Sequence, residues 1–67
     1  ISFILIDTEG FDYEIIKLIN FDIYKPSIII FEHKHLSFSD YKRCLKLLKK
    51  YNYSLRSNSG DTIAYLL

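Results

Sequence analysis

Two carboxylates and a glycine follow the first apolar segment of the chain, and they are its strongest chemical signal. Asp7, Glu9 and Gly10 come directly after the run Ser2-Phe3-Ile4-Leu5-Ile6. A carboxylate can accept the proton of an attacking hydroxyl group, so either acid is a candidate catalytic base. Gly10 allows a sharp backbone turn and close approach to a ligand, and we place it at the edge of a substrate site. The alternative role for both acids is to bind loop amides or to cap the next helix.

A second polar group follows a second apolar run. Glu32, His33 and His35 come after the segment Ser27-Ile28-Ile29-Ile30-Phe31. Histidine can act as a base near neutral pH, and His33 is the stronger catalytic candidate because it is nearer to the end of the run. Glu32 is predicted to lie at the substrate edge. The alternative for both histidines is a loop position bonded to backbone.

The two apolar runs have the length and continuity of strands that are buried on both faces of a parallel sheet. Between them Phe11, Ile15, Leu18 and Ile19 recur at helical spacing, which predicts a helix that packs on the sheet through this stripe. The carboxyl ends of parallel strands meet at one edge, where ligands bind in open α/β sheets. We therefore expect the two polar groups to lie together.

The second half of the chain predicts one more helix and a hairpin. Ser37 and Asp40 have the spacing of a capping box. The apolar face of the helix that follows is Tyr41, Cys44, Leu45, Leu48 and Tyr51. Residues 53–57 alternate like an edge strand, residues 58–61 form a turn, and residues 62–67 return antiparallel. The predicted fold class is α/β, in the order β-α-β-α-β-β, with three layers and a C-terminal antiparallel hairpin.

Composition limits the partners that the chain can have. It has 67 residues, a net charge of +1 and one cysteine, Cys44. A nearly neutral chain is not typical of a nucleic-acid-binding domain, and the basic helix face from Lys42 to Lys50 is predicted to be solvated. The single cysteine fits a reducing, cytoplasmic location. No apolar run approaches the roughly 20 residues that span a bilayer, so no membrane association is predicted.

Metal binding is not predicted. The acids and the histidine that could contribute ligands are Asp7, Glu9, Asp12, Glu32 and His33. Their oxygen-rich composition suits Mg²⁺ or Ca²⁺, but their spacing matches no metal-binding loop. Asp12 is expected to lie in the first helical turn, where negative charge suits the helix dipole.

The first strand has no predicted partner on its outer side. The chain opens at Ile1 directly on that strand. Apolar edge strands tend to pair with other chains, so we expect this chain to be part of a larger unit or to self-associate through its first strand.

Four segments in order resemble the FkbM-type methyltransferases, which use S-adenosylmethionine. They are the D-x-E-G pattern in Ile6-Asp7-Thr8-Glu9-Gly10, the helix Tyr13-Glu14-Ile15-Ile16-Lys17, the segment Ile29-Ile30-Phe31-Glu32-His33, and Gly60-Asp61-Thr62-Ile63-Ala64. The resemblance implies a Rossmann-like class I methyltransferase fold, of which residues 1–67 are the C-terminal half. The four strands would be the fourth to seventh of the family sheet, in the spatial order fourth, fifth, seventh, sixth.

The same resemblance implies that the cofactor-binding half is absent. The family's glycine-rich loop and ribose-binding acid belong to the N-terminal half, so no residue here is assigned to S-adenosylmethionine. The implied function is O-methylation of a sugar or another small metabolite by the full-length parent, with the isolated chain inactive. Two alternatives stay open: an interaction module that pairs through its first strand, and a Mg²⁺-dependent phosphoryl-transfer enzyme that uses the acids.

Overall fold

The computed structural model describes residues 3–66, in which four strands and two helices follow one another in the predicted order. The elements are β1 (Phe3–Ile6), α1 (Asp12–Lys17), β2 (Ile28–Glu32), α2 (Phe38–Lys50), β3 (Ser54–Ser57) and β4 (Asp61–Tyr65). Ser2 and Leu67, which the sequence assigns to strands, lie outside the described residues. No helix in residues 3–66 is long and apolar enough to cross a membrane.

The four strands form one mixed sheet in the order β1-β2-β4-β3. β1 pairs parallel with β2, whereas β4 pairs antiparallel with both β2 and β3. A parallel pair needs a long crossover connection, and α1 with the segment that follows it supplies one. The predicted strand order and the closing hairpin are therefore confirmed.

The prediction of three layers is wrong for the described residues, which form two. Both helices contribute to one core: Ile16 of α1 and Leu48 of α2 are buried in the same cluster as Phe31 of β2. The opposite face of the sheet has no helix over it within residues 3–66, so Phe3 and Leu5 are 56% and 65% exposed. The apolar run of β1 indicated burial on both faces, but the two helices lie on the same side.

The predicted apolar stripe of α1 is wrong for three of its four residues, since only Ile19 packs against the core. Phe11 and Leu18 are 66% and 80% exposed, and Ile15 is at the surface as well. The helix instead buries Asp12 and Ile16. It is therefore rotated by about one residue, roughly 100°, because the carboxylate of Asp12 finds hydrogen-bond donors under the sheet edge.

Helix α2 follows its prediction closely. The Ser37 hydroxyl accepts a hydrogen bond from the Asp40 N–H at 3.1 Å, which confirms the cap. Cys44 and Leu48 are fully buried. Burial, together with the nearby carboxylates of Asp40 and Asp12, raises the pKa of the Cys44 thiol to about 12. The thiol is therefore a core group and not a nucleophile.

Candidate functional site

The loop after β1 turns through two residues of positive φ. Glu9 has φ 54° and Gly10 has φ 119°. A Cβ on Gly10 would lie 3.5 Å from the carbonyl oxygen of His35, an ordinary contact, so the backbone angle and not space favours glycine here. The side chains of Asp7 and Glu9 are both exposed, as groups that meet a substrate must be. Left-handed backbone costs a residue such as Glu9 about 1–2 kcal/mol.

Asp12 ties this loop to the next strand, a role that the sequence analysis missed. The residue is fully buried, and its Oδ2 accepts a hydrogen bond from the Glu32 N–H at 2.9 Å. Its Oδ1 accepts from the Thr8 hydroxyl and from the Thr8 N–H. Several hydrogen-bond donors compensate for the free-energy cost of burying a carboxylate. The signal in the sequence was an acid at the first position of a helix, which also fits an ordinary dipole interaction.

Glu32 lies at the end of β2, and one of its carboxylate oxygens accepts no hydrogen bond in the described residues. Its side chain is 16% exposed, and Oε1 is inaccessible to solvent and has no hydrogen-bond partner within residues 3–66. The Lys34 Nζ lies 3.9 Å from Oε2, and the His35 Nε2 lies 3.6 Å from Oε1. Glu32 therefore lies at the predicted edge with one carboxylate oxygen enclosed by protein.

The two histidines have different surroundings. The His33 ring stacks on Tyr41 at 4.7 Å, and its Nδ1 is 2.8 Å from the Thr62 hydroxyl. The same hydroxyl is 3.1 Å from the Tyr41 hydroxyl. His33 is therefore anchored to α2 and β4, whereas His35 is half-exposed and packs beside Gly10. The catalytic role of His33 stays a prediction, and His35 is the histidine beside the D-x-E-G loop.

Strand register brings the acids of three strands to one edge. Ile6 pairs with Phe31 at the carboxyl ends of β1 and β2, and Asp7 and Glu32 are the next residues along the chain. Glu32 in turn pairs with Asp61 of β4. We call Asp7, Glu9, Glu32 and Asp61 the acidic strand edge. Asp61 was not singled out from the sequence, because only the position of β4 beside β2 brings it there.

Asp7 and Glu9 are exposed, and the half-exposed His35 is beside their loop. Carboxylates and imidazoles are side chains of the kind that accept a proton from a hydroxyl group. No group of three or more histidine, cysteine or acidic side chains within residues 3–66 has the geometry to hold a metal ion. Of the two predicted polar groups, Gly10 and His35 are neighbours, since a Cβ on Gly10 would lie 3.5 Å from the His35 carbonyl oxygen. The roles of the other members stay predictions.

Comparison with known proteins gives one match. Neither the curated proteins nor the solved structures contain a match to the chain. The family model described as the methyltransferase FkbM domain matches residues 1–55, which include α1, α2 and the acidic strand edge except Asp61. The matched segment is more than half of the 67-residue chain, which is sufficient to assign the family. The chain belongs to the FkbM methyltransferase domain family.

Proposed function

We propose that the chain is the C-terminal half of a Rossmann-like, S-adenosylmethionine-dependent methyltransferase domain and positions the acceptor for O-methylation. The acceptor is a sugar or another small metabolite with a free hydroxyl. The observation that supports this most is the acidic strand edge, in which Asp7 and Glu9 are exposed at the end of β1 while Asp12 binds that loop to β2. Family membership supports the methyltransferase reaction over strand pairing or phosphoryl transfer.

The chain's own part in the reaction is the handling of the acceptor hydroxyl. Asp7 or Glu9 accepts its proton as the oxygen becomes a nucleophile. Gly10 keeps the backbone close to the acceptor, and Glu32 lies at the edge of the acceptor site, at the end of β2. Holding the acceptor in this way also lowers the entropic cost of the reaction.

S-adenosylmethionine would supply the methyl group, but the residues present do not form its cradle. Only two glycines occur, Gly10 and Gly60, and they lie in separate turns. A dinucleotide-type cradle uses several glycines in one loop at a helix start. We therefore assign the cofactor to the N-terminal half of the domain.

The test is methyl transfer by the domain that contains these residues. Labelled S-adenosylmethionine is offered with a panel of sugars and small hydroxyl compounds. We expect Asp7→Asn or Glu9→Gln to lower kcat by about 10²–10⁴-fold, the usual contribution of a general base. Asp22→Asn is the matched control, because Asp22 is exposed in the connector before β2.

Two results would contradict the proposal. If both edge variants keep full activity, the base lies elsewhere. If no hydroxyl compound is methylated by the wild-type domain, O-methylation itself is wrong. The 67-residue chain alone is expected to show no methyl transfer and no S-adenosylmethionine binding by calorimetry, and binding there would contradict the assignment of the cofactor to the other half.

A further inference from the structure

A groove between α1 and α2, which we call the α1–α2 groove, lies on the helical side of the sheet. Its lining is Tyr13, Arg43, Lys46, Leu47 and Lys50. Its volume is ≈390 Å³, within the roughly 300–1,000 Å³ of ligand pockets. We propose that this groove binds an anionic amphiphile with a single apolar chain. This site is separate from the acidic strand edge and does not depend on the proposed methyl transfer.

The floor of the groove is apolar and supported from below. Tyr13 and Leu47 are half-buried and pack against the main core. The Lys17 Nζ lies 4.6 Å from the centre of the Tyr13 ring and also pairs with Glu14 at 2.9 Å. The floor is therefore held in place, and an apolar chain laid on it would lose its contact with water.

The rim of the groove is cationic because charge is unevenly distributed in the molecule. Helix α2 has five cations and one acid, Asp40, which gives it a charge of +4. Its cations are Lys42, Arg43, Lys46, Lys49 and Lys50. The rest of the chain has four cations and seven acids, or −3, which together give the net +1. An anionic head group is thus complementary to this helix and not to the acidic strand edge.

Two of the rim cations have no acidic partner. Arg43 pairs with Asp40 at 2.8 Å, whereas neither Lys46 nor Lys50 makes an ion pair with an acid in the described part of the chain. Lys50 only approaches the Tyr51 ring, at 5.5 Å. Lysines one helical turn apart repel each other, and an anion between them would relieve that repulsion.

The length of the floor favours a single chain over a docked helix. Helix α1 has six residues, which is about 9 Å of helix. A partner helix would find support for fewer than two turns. An acyl-sized chain with its charged head at Lys46 and Lys50 fits the apolar floor and the cationic rim together.

The first test compares three small probes by amide chemical-shift titration of the 67-residue chain. The probes are decanoate, decyltrimethylammonium and acetate, each used below micelle formation. We expect decanoate alone to cause saturable shifts at Tyr13 and Leu47. The proposal is overturned if decyltrimethylammonium binds as tightly as decanoate, or if the decanoate shifts centre on Phe3 and Leu5 of the open sheet face.

The second test uses two double variants with the same change in charge. Lys46→Glu with Lys50→Glu should weaken decanoate binding by about tenfold or more. The control is Lys42→Glu with Lys49→Glu, because these lysines are on the same helix but do not line the groove. Equal weakening by both variants would overturn the proposal and indicate general attraction to a basic helix. A dispersed amide spectrum of each variant verifies the fold.

Discussion

The acidic strand edge and the α1–α2 groove are held together differently. The edge depends on a buried carboxylate, since Asp12 bonds the β1 loop to β2 from a fully buried position. The groove depends on exposed cations over a packed apolar floor. Removing one partner of a buried hydrogen bond lowers the free energy of unfolding more than removing an exposed ion pair does. Substitution of Asp12, which supports the edge, should therefore lower stability, whereas substitution of the groove lysines should lower affinity.

The largest expected effect tests the core beneath both surfaces. Burial raises the pKa of the Cys44 thiol from an ordinary value of 9.0 to about 12. Iodoacetamide should therefore modify Cys44 about 1,000-fold more slowly at pH 8 in the native chain than in urea, because the thiolate is the nucleophile. Mass spectrometry over time measures both rates.

The raised pKa also has a definite sign for stability. The unfolded thiol ionises above pH 9 while the folded one stays neutral up to about pH 12, so stability falls as pH rises through this window. Fast alkylation of the native chain would show that α2 does not pack on the core as described, and the support for the α1–α2 groove would be lost.

The second prediction breaks the edge alone. Asp12→Ala removes the acceptor for the Glu32 N–H and for Thr8, and we expect the free energy of unfolding to fall by about 3 kcal/mol. Urea unfolding followed by circular dichroism measures it. Asp22→Ala, at an exposed position, should change stability by less than about 0.5 kcal/mol. A similar small change in both variants would contradict the role assigned to Asp12.

The third prediction separates backbone geometry from space at the edge. Gly10 has φ 119°, so Gly10→Ala should destabilise the chain by about 2 kcal/mol. Gly60→Ala is the control, since a Cβ there meets the Lys34 side chain at an ordinary 3.6 Å. It should change stability by at most about 0.5 kcal/mol. Equal unfolding midpoints for the two variants would show that the loop does not need its positive φ.

The smallest effect is expected on the groove side. Arg43→Ala breaks the ion pair with Asp40, but both side chains are partly in water, so the loss should be about 0.5 kcal/mol or less. Thermal unfolding at low and at high salt measures it, and salt should reduce the difference. A loss comparable to that of Asp12→Ala would remove the contrast between the two surfaces.

Much of this fold could be predicted from local patterns. The continuous run before Glu32 is a strand, the Ser37 cap starts α2, and the turn before Asp61 leads into the hairpin. The position of the candidate site could also be predicted, because acids follow both of the apolar runs that form β1 and β2. The phase of α1 could not be predicted from its pattern, because a stripe that starts at Phe11 and one that starts at Asp12 are a single residue apart. The second stripe faces the sheet because Asp12 is satisfied there.

The sequence by itself determined the order of the elements, the position of the acids at strand ends and the cap of α2. These depend on hydrophobic periodicity and on hydrogen bonds between residues a few positions apart. Only the tertiary structure decided that both helices cover one face of the sheet and that Asp61 pairs with Glu32. It also decided that Asp12 is a buried hydrogen-bond acceptor and not a surface charge. Such contacts join residues far apart in the chain, and their energies depend on donors and apolar surfaces that no local pattern contains.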